Sequence, residues 1–130
     1  MTAIAGDPSS SESAERMLGL ITASLQADKA IEPVVIDLRG KTTIADFMVV
    51  ATGTSHRHIV TMAEKLEMRL EAEGVRILSV EGLEEANWVL VDVGDVIVHL
   101  FRAETRALYD IERLWSVAPP KDREQVRAVG

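Results

Sequence analysis

The tightest constraint on this chain is a pair of strand-like segments, residues 87–93 and 96–101, with only Gly94-Asp95 between them. A two-residue joint of that kind closes an antiparallel hairpin. Val89, Val91 and Val93 alternate with Leu90 and Asp92 as in a half-buried strand, whereas Val96-Ile97-Val98 is apolar on both faces. A strand with no polar face belongs in the middle of a sheet, so helices must pack on that sheet.

The periodicity supplies them. Ala14, Met17, Leu18, Ile21 and Leu25 line one stripe of a helix from near Ser13, its expected N-cap, to near Lys29. Thr52-Gly53-Thr54-Ser55 ends a strand at 46–52 and offers Ser55 as cap to a second helix. That helix carries Ile59, Met62, Ala63, Leu66 and Leu70 on one side, and Gly74 stands where a left-handed residue would end it. A third helix is expected over 103–115, with Leu108, Ile111 and Trp115 on its apolar stripe and Leu114 beside them. Trp115, at the end of that stripe, reads as a core residue ahead of an interface anchor. Further strands fall at 33–38 and 75–80, the latter followed by a polar loop at 81–86. The order α-β-β-α-β-β-β-α implies a single α/β domain, a mixed five-stranded sheet flanked by helices, without strict βαβ alternation. The domain spans 14–116. Residues 1–13, rich in serine, and the charged residues 117–130 read as flexible tails.

Composition narrows the chemistry. With no cysteine among 130 residues, thiol catalysis, a disulfide framework and a thiolate zinc site are all excluded. A net charge of −7 argues against phosphate-led nucleic-acid binding and calls for a basic partner if the partner is charged. No apolar run is long enough to span a membrane and nothing marks a secretory leader, so cytoplasm is the expected compartment.

Three constellations invite chemical readings. In Thr52-Gly53-Thr54-Ser55-His56-Arg57-His58, a helix N-terminus could receive an anion, but the phosphate-loop pattern is absent and Ser55 reads first as a cap. His56 and His58, two apart, point away from each other on a helix, unlike the i, i+4 pair of a zinc site. Asp92 and Asp95 bracket the hairpin turn; turn chemistry and magnesium binding are both open, the second implying a metal-dependent nucleotidyltransferase-like enzyme. The third feature is segregation. From Ile77 through Phe101 there are five acids and no Lys or Arg, with Trp88 beside the acidic loop and His99 on the last strand. Such a stretch is a solvated face or a docking surface with an aromatic anchor, flanked by Arg102, Arg106 and Tyr109 on the following helix.

Four blocks together resemble the bacterial ribosomal silencing factors of the iojap family. They are Asp46-Phe47-Met48-Val49-Val50-Ala51-Thr52-Gly53-Thr54-Ser55-His56-Arg57-His58, Val80-Glu81-Gly82, the run from Asn87 to His99, and the run from Arg106 to Trp115. They come in the family's order and spacing and cover residues 14–116. His56 stands where that pattern leads one to expect a smaller polar residue. The resemblance implies a non-enzymatic factor without cofactor or metal, often a homodimer, with a nucleotidyltransferase-like fold lacking the catalytic acids. It implies binding to the large ribosomal subunit through its fourteenth protein, without direct nucleic-acid readout or membrane contact. The bound factor would keep the small subunit from joining and repress translation when nutrients are scarce. By the same resemblance Ser55, Arg57, Glu81, Trp88, Asp92, Asp95, His99 and Tyr109 are the expected partner-binding residues.

Overall fold

A computed structural model describes residues 6–116, with side chains over 12–115. The elements are α1 (Gly6–Ala27), β1 (Ile31–Asp37), β2 (Phe47–Gly53), α2 (His56–Ala72), β3 (Ser79–Glu81), β4 (Trp88–Asp92), β5 (Val96–Arg102), α3 (Ala103–Tyr109) and α4 (Ile111–Ser116). The sheet order is β1-β2-β5-β4-β3. The strand apolar on both faces, β5, is therefore the middle one of five, as its composition requires. It runs parallel to β2 and antiparallel to β4; the other pairs are antiparallel. Val93 donates its N–H to the Val96 carbonyl at 3.0 Å, and Gly94 takes φ +96°, the positive value a two-residue hairpin asks of its first central residue.

Strand alternation divides the core in two. Phe47, Val49, Ala51, Val89, Val91, Val96, Val98 and Leu100 face α1 and α2, meeting Ile21, Leu25, Ile59, Met62, Leu66 and Leu70. Met48, Val50 and Phe101 face the other way, joined by Ile36 and Leu38 and by Ile111 and Trp115 from α4. Trp115 is thus half-buried against this second core, as expected. The helical layer is pinned by His58, which accepts the Thr54 N–H at Nδ1 (2.9 Å) and donates from Nε2 to the Asp28 carbonyl (2.7 Å). Arg69 adds an ion pair to Asp28 at 2.8 Å. Among the described residues no helix is long and apolar enough to cross a membrane.

Four boundaries differ from expectation. α1 begins at Gly6, not near Ser13, so residues 6–13 of the expected tail are its first two turns. Pro8 sits in the first turn, where its missing N–H has no intrahelical acceptor, and a nucleated helix adds one hydrogen bond per residue. Residues 1–5 and 117–130, the remainder of the two expected tails, lie outside the described residues. α1 also stops at Ala27, because Lys29 takes a left-handed φ of 64°. The strand expected over 75–80 is shorter and displaced to β3, with Ser79 pairing with Asp92, Leu78 adding one bond to the Asp92 carbonyl, and Glu81, expected in the loop, pairing with Leu90. The last helix is broken at Asp110, which adopts a left-handed conformation, φ 49°. The break turns Ile111 and Trp115 onto the sheet and leaves Leu108 76% exposed, off the expected stripe.

One side chain bridges that break. Arg106 donates from Nε and Nη2 to the Glu112 carboxylate (2.8 and 2.9 Å) and from Nη1 to Thr52 Oγ1 (2.8 Å), with only 11% of its side chain exposed. Arg106→Met leaves a half-buried carboxylate unpaired. It is expected to cost ~2 kcal/mol in chemical denaturation, while removing the charge on both sides, Arg106→Met with Glu112→Gln, costs less.

Candidate functional site

The register of β3, β4 and β5 sets which side chains share a surface. Residues opposite each other in antiparallel pairs lie on one face, and the pairs are Glu81 with Leu90, Leu90 with His99, Trp88 with Phe101, and Asp92 with Ile97. Four of the eight expected docking residues, Glu81, Trp88, Asp92 and His99, therefore fall on the face turned away from α1 and α2. Tyr109 joins them from α3, its ring 4.9 Å from that of Trp88. Trp88 also lies against Phe101, with ring centroids 5.0 Å apart.

The loop between β3 and β4 completes the surface. Gly82 has φ +91°, and a Cβ there would lie 2.2 Å from the Trp88 carbonyl oxygen, so only glycine lets the loop pass this close to the tryptophan. Ala86 then donates its N–H to the Gly82 carbonyl at 2.8 Å, closing the loop. The result is an open cleft of about 710 Å³ between loop and α3, lined by Glu84, Glu85, Trp88, Thr105, Leu108 and Tyr109. Two carboxylates, two aromatic rings and an exposed leucine share its lining. This arrangement can hold a cationic or aliphatic group laid on a ring beside negative charge.

The remaining expected residues lie elsewhere or do other work. Ser55 is the N-cap of α2, its Oγ accepting the His58 N–H at 3.0 Å. Arg57 is exposed on the first turn of α2. The residue between them makes the link to the β3–β4 loop: His56 Nε2 lies 2.9 Å from Asn87 Oδ1 and 3.1 Å from Arg102 Nη1. Asp92 accepts the Gly94 N–H on Oδ1 at 2.9 Å, which is turn chemistry, while the Asp95 main-chain carbonyl accepts the Asp46 and Phe47 N–H groups where β2 begins beside β5. His99 is only 6% exposed, so its ring lies beneath the surface it was expected to form. Its Nδ1 accepts the Trp88 Nε1–H at 2.9 Å, and burial pushes the imidazole down to about 4. Leu108, Thr105, Glu84 and Glu85 belong to the cleft without having been singled out as docking residues; the charge segregation of the loop was the signal for the two glutamates, and nothing in the spacing marked the other two.

The family model described as ribosomal silencing factor during starvation matches residues 11–129. That span reaches past the 14–116 over which the motifs were read. The chain is 44% identical over 115 residues to the ribosomal silencing factor RsfS of Zymomonas mobilis, covering 88% of this chain and 86% of that one. It is 28% identical over 103 residues, 77% of this chain and 45% of the other, to a mouse protein named mitochondrial assembly of ribosomal large subunit protein 1. A crystal structure of a Chromobacterium violaceum protein superposes with a TM-score of 0.77 at 36% identity, over 82% of this chain and 88% of that one.

The buried imidazole makes stability depend on pH. The unfolded chain takes up that proton near pH 6.5 and the folded chain only near 4, so stability falls as pH drops through that window, by ~3 kcal/mol in all. Urea midpoints from pH 7 to 4 check this, and His99→Leu should flatten that part of the curve. Gly82→Ala is expected to cost ~2 kcal/mol or more, read as a fall of several degrees in Tm, because the left-handed backbone and the Trp88 carbonyl both oppose a Cβ.

Proposed function

The chain belongs to the family of ribosomal silencing factors, and from that premise we propose that its acidic, aromatic face docks on the large ribosomal subunit, through that subunit's fourteenth protein, and blocks joining of the small subunit. It acts by occupying space, in the cytoplasm, and represses translation under nutrient limitation without making or breaking covalent bonds. As a free protein it pairs with a second copy of itself. The observation that carries this reading is the cleft in which Glu84 and Glu85 stand beside Trp88 and Tyr109. A ribosomal protein is basic because it sits on RNA, and a surface of carboxylates around aromatic anchors complements such a partner in charge and in packing. The net charge of −7 favours protein over RNA as the thing touched. The name of the mouse relative, which refers to the large subunit, points the same way.

Central tryptophans are typical anchors of such interfaces. Trp88→Ala is expected to weaken co-sedimentation with purified large subunits by ~30-fold or more, and Glu84→Lys with Glu85→Lys by ~10-fold, the second loss growing smaller as salt is raised. Undiminished binding by a folded Trp88→Ala protein would overturn the assignment of this face. Binding that persists while the two subunits still associate at the normal rate would overturn the steric mechanism.

A further inference from the structure

His99 is a buried titratable group with no direct access to a docked partner, yet it holds the residue on which docking centres. Indole carries one donor and no acceptor. In Trp88 that donor is already committed, Nε1–H to His99 Nδ1 at 2.9 Å, within the sheet. The acceptor is itself fixed: His99 lies on β5 between Val50 and Leu90, its ring stacked nearly parallel to Phe101 at 9° and 6.0 Å. What remains of Trp88 for a partner is its ring. One side of it lines the cleft with Glu84, Glu85 and Tyr109, and it also lines a smaller hollow with Glu81, Gly82 and Leu90.

We propose that His99 is a positioning residue for docking: by holding the Trp88 N–H it sets the indole in its bound orientation before the partner arrives, and it selects groups that pack on a ring, an arginine or lysine side chain above all, over hydrogen-bond acceptors. This rests on the docking reading above. Preorganisation matters here because an unanchored tryptophan would have to lose its side-chain freedom on binding. The tie works at neutral pH because the imidazole is uncharged there and its Nδ1 lone pair is available. The groups packed on the ring from β2, β4 and its own strand are Val50, Leu90, Trp88 and Phe101, none of them charged.

The test is a cycle of variants read by binding to purified large subunits and by the indole N–H signal in the nitrogen–proton NMR spectrum. His99→Leu removes the acceptor and keeps an apolar side chain; it should weaken binding about tenfold. His99→Asn places an amide oxygen near the position of Nδ1 and should restore binding to within about threefold of the parent. In a Trp88→Phe background, which has no N–H to hold, His99→Leu should change binding by less than about twofold. The parent's Trp88 indole proton should exchange more slowly than that of free tryptophan, a measurement that needs no variant. Parent-like binding by His99→Leu, a tenfold loss that persists with Trp88→Phe, or an indole proton exchanging as fast as in free tryptophan would each overturn the positioning role. If Trp88→Ala binds as the parent does, the docking reading falls and this inference with it. If Trp88→Ala fails to bind while His99→Leu binds normally, the inference alone falls.

Discussion

The parallel pairing of β2 with β5 sets the terms for every other element, because the two strands are joined along seven consecutive positions from Phe47 and Val96 to Gly53 and Arg102. Parallel neighbours need a long crossover, and the crossover here carries α2, β3 and β4. They also need cover on both faces, since every residue of β2 and most of β5 are buried. On one face α1 and α2 supply that cover with continuous rows of Ile, Leu and Met, each fully buried side chain adding roughly 1.5–3 kcal/mol.

Cover on the second face is incomplete, and the candidate site exists for that reason. α3 and α4 have seven and six residues, so each is only ~10 Å long. Five strands at ~4.8 Å spacing make a sheet about twice that wide. The short helices reach β1, β2 and the end of β5, and leave Trp88, Leu90, Asp92 and Ile97 half-exposed toward β3. The hairpin thus carries large apolar groups on both sides, one set buried and one set uncovered. The acidic loop beside it gives the surface its sign.

Two buried polar ties keep this division in place, and they act on different parts of it. Arg106 fastens the cover, joining α3, α4 and β2 through Glu112 and Thr52. His99 fastens the uncovered part, holding Trp88 against the sheet. Arg106 finds acceptors in Glu112 and Thr52, and the Trp88 donor and the His99 Nδ1 acceptor satisfy each other, as polar groups at such depth require.

Local chemistry was enough for the sequence to determine several things. Gly94 marked the hairpin, Val96-Ile97-Val98 marked the central strand, and Ser55 and Gly74 marked the ends of α2, because each depends on backbone preferences or on a strand's two faces within a few residues. The motif blocks brought the family into view, and the acid-only stretch around Trp88 pointed to the side on which the cleft lies. Tertiary structure alone decided the rest. That Glu81, Trp88, Asp92 and His99 share a face follows from register across three strands, which no single segment contains. That Leu108 leaves the core follows from a left-handed turn at Asp110, bridged by the Arg106–Glu112 pair, whose partners lie on the two sides of the break. And His99 reads as a surface residue in sequence because histidine is polar; only the strands packed on either side show that its ring lies within the sheet, where an uncharged imidazole is the form that burial favours.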